Sequence, residues 1–92
     1  MTYDIHETKN AFYIGDNADA PLAEITFNYH DEQTIDVNHT FVDPSLRGGG
    51  VAKQLFDCVI DKAQQENLKI IPSCSYVRKQ FEKNASLAAY KA

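Results

Sequence analysis

Apolar and polar residues alternate along the first half of this 92-residue chain and then adopt a period near 3.6. From Thr2 to Phe41 the runs YDIHE, NAFYIGDNADAP, LAEITFNYHDEQ and TIDVNHTFV alternate with period two between turn-forming residues, which predicts about four antiparallel strands. In the last run Ile35, Val37, His39 and Phe41 fall on one face and Asp36, Asn38, Thr40 and Val42 on the other, and Pro44 ends it. From Val51 the period changes: Ala52, Leu55, Phe56, Val59, Ile60 and Ala63 form one helical stripe with Lys53, Asp57 and Asp61 off it, predicting a helix to about Asn67. LKIIP is a short apolar strand, and SYVRKQFEKN returns to helical spacing through Val77 and Phe81. Strands joined by a helical crossover are normally parallel, so Lys69 to Pro72 should lie beside Ile35 to Val42. The expected fold is α/β (α+β): a mixed, mostly antiparallel sheet with two helices, in one domain spanning residues 1–92.

Composition agrees with one modest core, since 43% of residues are apolar and 24% charged. Charge is unevenly spread. Met1 to Leu46 carries one basic and nine acidic residues, Arg47 to Ala92 eight basic and four acidic, or -8 against +4. A polyanion should be drawn to the second half and a cation to the first, while the net charge of -4 argues against non-specific nucleic-acid binding. No apolar run approaches the ~20 residues that span a bilayer, and no basic-then-apolar leader follows Met1, so the expected location is the cytosol, without membrane association. Cys58 and Cys74 fit neither a zinc site nor a disulfide scaffold and are expected as free thiols.

Three of the four glycines stand in a row at Gly48, Gly49 and Gly50, between the strand that ends at Pro44 and the start of the long helix. A helix start offers unpaired amides and the positive end of the helix dipole, which suit a phosphate. Glycines there let the backbone approach the anion and permit positive φ. Arg47 at the mouth and Lys53 one turn in add cationic donors. The triphosphate signature GKS or GKT is missing, and Lys53 stands where a dinucleotide GxGxxG needs its third glycine.

Arg47-x-x-Gly50-x-Ala52 instead fits the pattern (Gln or Arg)-x-x-Gly-x-(Gly or Ala), which resembles the pyrophosphate loop of the GNAT superfamily of acyl-CoA-dependent N-acetyltransferases. The likeness extends from Thr34 to Phe81: HTFVDPSLRGGGVAKQLFDCVIDKA followed by LKIIPSCSYVRKQF is similar to a subfamily of small single-domain GNAT-like proteins, with His39-Thr40 ahead of the loop and Cys74-x-Tyr76 behind. Ser75, where some members have proline, and the tail NASLAAYKA, without the charged ending of many members, depart from it. The resemblance implies a minimal GNAT-like fold whose last two strands are parallel and splayed, and acetyl-CoA as cofactor. It implies that Phe41 and Val42 meet the thioester arm and that Arg47, Gly48, Gly49, Gly50, Val51, Ala52 and Lys53 hold the pyrophosphate.

Acetyl transfer from a thioester to an amine needs a neutral amine, a stabilised carbonyl oxygen and a protonated leaving thiolate. His39 can accept the amine's proton at neutral pH. Cys74, at a helix start with Arg78 and Lys79 nearby, is a candidate nucleophile that takes the acetyl group first. The resemblance implies Tyr76 as the acid for the leaving thiolate. Cys58 lies off the helical stripe and is expected at the surface or rim, without chemistry. His6 and His30 receive no role. The chain is short beside full-size GNAT enzymes, lacking the parts that cover the acceptor, so the expected acceptor is an unidentified amine, small or protein-borne. A non-catalytic acyl-CoA binding or sensing module is the alternative, and a small interaction domain whose glycine row is only a turn is a third reading.

Overall fold

The computed structural model describes residues 4–92, so the start of the first expected strand at Thr2 and Tyr3, and the residues after Met1 read for a leader, lie outside the described residues. Four antiparallel strands follow one another as read from the sequence: β1 (His6–Glu7), β2 (Ala11–Ile14), β3 (Ala23–Asp31) and β4 (Thr34–Val42). After the glycine row come helix α1 (Val51–Glu66), strand β5 (Lys69–Pro72) and helix α2 (Ser75–Lys83). The five strands form one sheet in chain order, antiparallel except for the β4–β5 pair. Two 3-10 segments among the described residues are unpredicted: Pro44–Leu46, and Ala85–Tyr90, started by Asn84 Oδ1 accepting from the Ser86 amide at 3.1 Å.

Helix α1 ends as a helix should when no glycine is present: Asn67 takes the left-handed conformation (φ 55°), which its short polar side chain tolerates, and its N–H returns to the Ala63 carbonyl. The buried stripe of α1 is Val51, Leu55, Phe56, Val59 and Ala63, with Ala52 and Ile60 at its margins. It packs on Phe12, Ile14, Ala23, Ile25, Phe27, Ile35 and Val37 of the sheet in one core. Phe56 meets the rings of Tyr76 and Phe81 edge-on, both at 6.3 Å, which seats α2 on the same side as α1. Leu87 and Tyr90 of the 3-10 segment join that core too. The opposite face of the sheet has no described helix on it.

Strand β4 pairs with β5 only from Thr34↔Lys69 to Val37↔Pro72, not over the whole span to Val42. Beyond Val37 its carbonyl accepts instead from the Cys74 amide at 2.9 Å, and the two chains part. The splay between the last strands therefore begins there.

Lys62 fastens the short β1 to α1. Its Nζ lies 3.0 Å from Glu7 Oε2 and 2.8 Å from Glu66 Oε2, and 5.8 Å from the centre of the Phe27 ring, with the side chain only 12% exposed. Burial favours its neutral form, but hydrogen bonds to Glu66 and Glu7 outweigh this and raise its pKa, so its contribution is complete at neutral pH and lost only in strong alkali. Lys62→Met should keep the packed stem and lose the paired ammonium. Both carboxylates are about half exposed and can rehydrate, so the expected cost is about 1–2 kcal/mol, read as a lower urea midpoint at unchanged slope.

Candidate functional site

A β-bulge in β4 sets the geometry of the site. Phe27 pairs with Val37, but its neighbour Thr26 pairs with His39, so Asn38 is an extra residue in β4, and its side chain accepts from Thr26 Oγ1 at 2.6 Å. Simple alternation places His39 and Phe41 with Ile35 and Val37; the bulge exchanges the faces. Thr40 and Val42, opposite buried Ile25 and Ala23, turn to the helix side, whereas His39 is exposed and Phe41 lies outside the core cluster, on the open face. The sequence expectation for His39 and Phe41 is corrected on this point.

The backbone follows the same arithmetic. Asp43 N–H donates to the Leu22 carbonyl at 2.8 Å, so by antiparallel alternation Phe41, opposite Glu24, spends its amide and carbonyl on β3. Thr40 and Val42 point theirs towards the splay. Of the two residues expected to meet a thioester arm, Val42 has its N–H available there and Phe41 does not.

The turn between β4 and α1 is built from Asp43 outward. Asp43 Oδ2 accepts from the Ser45 amide at 3.0 Å and the Ser45 hydroxyl at 2.5 Å, starting the 3-10 turn Pro44–Leu46; these bonds hold its carboxyl below the usual range. Gly48 (φ 87°) and Gly50 (φ 74°) take left-handed conformations, and a Cβ at either would meet nothing within 4 Å. Conformation, not space, requires glycine at these two positions. Gly50 caps α1 and its carbonyl accepts from Gln54 N–H at 3.1 Å. Val51 is buried, so only its amide can serve a ligand. Arg47 Nε donates to the Val42 carbonyl at 3.2 Å, folding the guanidinium over the strand end. Lys53 Nζ lies 2.6 Å from Asp57 one helical turn on, in an exposed pair that raises the lysine pKa, so in this structure it is paired along α1.

Val42, Leu46, Arg47, Gly48, Gly50, Val51, Ala52, Lys53 and Tyr76 line one cleft of about 270 Å³. Gly49 lies beside it in the turn; His39, Phe41 and Cys74 do not line it. Tyr76 thus joins the glycine turn, where the chain order alone separates them.

Cys74, the residue before α2, sits at the parting of β4 and β5 with its sulfur 3.3 Å from Thr40 Oγ1. Burial raises its pKa, but the Thr40 hydroxyl and the amides of Val77, Tyr76 and Thr40 more than offset this and hold the thiol below the ordinary cysteine value. The donors differ from those expected: Arg78 donates to the Ser73 carbonyl at 3.2 Å, and hydrogen bonding replaces the proposed influence of Arg78 and Lys79. Thr40 was missed by sequence reading because alternation put it on the far face from Cys74. Tyr76 is half-buried, and burial chiefly raises its pKa, keeping the phenol protonated. Cys58 is half-buried at the core margin, where burial and then Asp61 and Asp57 raise its pKa, so the two thiols are opposites. Among the described residues no three His, Cys, Asp or Glu side chains gather as a metal site needs, and no helix is long and apolar enough to cross a membrane.

Residues 11–90 match the family model described as GCN5-related N-acetyl-transferase. Protein NATD1 of Xenopus tropicalis is 34% identical over 62 residues, covering 67% of this chain but 57% of the relative, so the chain spans little more than half of that protein. The solution structure of a GCN5-like protein from Staphylococcus aureus is 40% identical, with a TM-score of 0.81 over 98% of this chain and 88% of that one. A GNAT family acetyltransferase from Elizabethkingia anophelis, solved with acetyl-CoA bound, shares the fold at a TM-score of 0.55 and 17% identity, over 79% of this chain and 50% of that one.

Proposed function

Because this chain belongs to the GCN5-related N-acetyltransferase family, we propose that it takes acetyl-CoA and passes the acetyl group to an amine, with the turn from Arg47 to Lys53 holding the pyrophosphate. The observation that carries this reading is the single cleft in which the glycine turn, the start of α1, Val42 and Tyr76 meet, beside the point where β4 leaves β5. The amides opening α1 supply donors and a positive helix end to the pyrophosphate. Arg47 and Lys53 have only a carbonyl and an exposed carboxylate to give up for it.

The chemistry follows in two steps. Cys74 thiolate attacks the thioester carbonyl carbon; the carbon–sulfur bond to coenzyme A breaks, and the departing thiolate takes the Tyr76 proton. The neutral amine then attacks the Cys74 thioester, forming the amide as the thiolate of Cys74 leaves, and the amine's proton passes to water or to His39 on the open face. The Val42 amide faces the splay, where the arm of acetyl-CoA would run.

The test is a melting curve with and without acetyl-CoA. Ligand at about 100 times its dissociation constant adds about 2.7 kcal/mol, which moves the midpoint of a domain this small by several degrees. No shift at millimolar acetyl-CoA rejects the reading. A shift without acetylated product from any amine leaves a binding or sensing module.

A further inference from the structure

We infer that the face of the sheet that no described element covers is a docking surface for a basic segment of a partner protein, in which Glu24, framed by Tyr13 and Phe41, holds a second cationic side chain beside the lysine to be acetylated. This rests on the acetyl-transfer reading above and names its acceptor. Tyr13, Glu24 and Phe41 lie in one row across β2, β3 and β4. Leu22 N–H donates to the Ile14 carbonyl and Phe27 N–H to the Asn10 carbonyl, which by alternation makes Tyr13 and Glu24 a closely approaching, non-hydrogen-bonded pair. All three side chains are half-buried on a face that no described element covers, and none belongs to the core cluster. No described residue gives Glu24 a hydrogen bond or an ion pair. A carboxylate between two aromatic rings suits an ammonium or guanidinium, which gains both the charge and the ring faces.

The rest of the face agrees. Asp36 lies on it, opposite Asn28 and Ile71, with its buried Oδ1 lacking any partner among the described residues. Lys69 stands at the far edge, in register with Thr34. His39 lies on the same face between Asp36 and Phe41, past the last β4–β5 pair at Val37. Of the nine acidic residues before Arg47, Glu24 and Asp36 stand in the strands on this face, while Glu7 turns to α1 through Lys62. Glu24 lies one strand beyond His39 from the splay, which puts the second cation ~7–10 Å from the reacting amine, about the reach between neighbouring side chains of an extended peptide.

The shape of the face bears on the size of the partner. The best-formed cavities among the described residues are lined by the helices, the glycine turn, the 3-10 segment or the β3–β4 turn, and Glu24, His39 and Phe41 line none of these. Small ligands are normally held in a concavity that removes most of their surface from water. An open face can be covered only by a partner that brings its own surface.

The experiment measures binding of a fluorescent peptide with two lysines two residues apart, on one face when extended, to the full chain with coenzyme A present, by anisotropy, for the natural sequence and for Glu24→Gln. The melting shift with acetyl-CoA is recorded in parallel. Glu24→Gln should weaken the peptide about tenfold, the loss of one charge-assisted hydrogen bond, and leave the acetyl-CoA shift as it was. Replacing one lysine of the peptide by glutamine should weaken it similarly and abolish the difference between the two proteins. Equal affinity of both proteins for the two-lysine peptide, or no binding by a chain that shows the acetyl-CoA shift, overturns the proposal. Displacement of the peptide by an equal concentration of spermidine also overturns it, in favour of a small polyamine. Loss of the acetyl-CoA shift alone would strike the acetyl-transfer reading and leave the peptide result to be judged separately.

Discussion

Cys74→Ala should lower acetyl transfer on the order of 10³-fold or more while leaving the melting shift with acetyl-CoA unchanged, as expected for removal of a nucleophile that does not hold the cofactor. The thiol lies outside the cleft formed by the glycine turn, so its loss touches no phosphate donor. In the natural protein, incubation with acetyl-CoA and no amine should leave an acetyl group on Cys74, seen in the intact mass. Reaction through the thiolate also fixes the pH dependence. The rate should rise with pH and level off below the range of an ordinary thiol, because the Thr40 hydroxyl and three amides favour the anion. Thr40→Val removes the hydroxyl and should move that inflection upward. Unchanged transfer in Cys74→Ala would mean that the amine attacks the thioester directly and that Cys74 only packs.

Gly50→Glu should abolish measurable acetyl-CoA binding, a loss of at least about 100-fold. Two effects add. Gly50 has φ 74°, so any side chain there costs roughly 1–2 kcal/mol in backbone strain, although the space around it is empty. A carboxylate near 4 Å from a phosphate charge adds about 4 kcal/mol of repulsion at an effective dielectric constant of 20. Gly50→Ala separates the two: it carries the strain alone and should lower the melting temperature while keeping affinity within a few fold. Equal loss of affinity in both would show that the turn's conformation, not its charge, governs the cofactor.

Much of this was legible in the sequence because the relevant signals are local. The change of period at Val51 places α1, the helical crossover makes β5 parallel to β4, and three consecutive glycines mark a turn that two of them occupy with positive φ. What was not legible depends on a single unpaired residue and on pairing across the chain. Nothing in TIDVNHTFV announces that Asn38 is a bulge, since its partner Thr26 lies twelve residues earlier. Every face assignment after it therefore inverts, which hid Thr40 from Cys74 and misplaced His39 and Phe41. The Lys53–Asp57 pair, by contrast, stands at i,i+4 spacing and could have been read as competing for the lysine. The segment after Asn84 is short and half alanine, so it reveals no period, yet Leu87 and Tyr90 reach the core and Ala92 N–H donates to the Ile70 carbonyl at 2.8 Å, covering the outer edge of β5.

The bulge makes β4 behave like a message with a shift in its frame. Upstream of Asn38 odd-numbered residues are read by the core and even-numbered ones by solvent; downstream the assignment is reversed. Length, as much as identity, is thus information in this strand. Losing Asn38 would remove the bulge and leave the faces as they are, because His39 would then follow Val37 directly and alternate to the outside; keeping Asn38 in a regular, unbulged strand would instead send Thr40 and Val42 to the outside and turn His39 and Phe41 against the helices. A sequence comparison that aligns this strand with an unbulged one and omits the one-residue gap at Asn38 would match residues that, in space, stand on opposite sides of the protein.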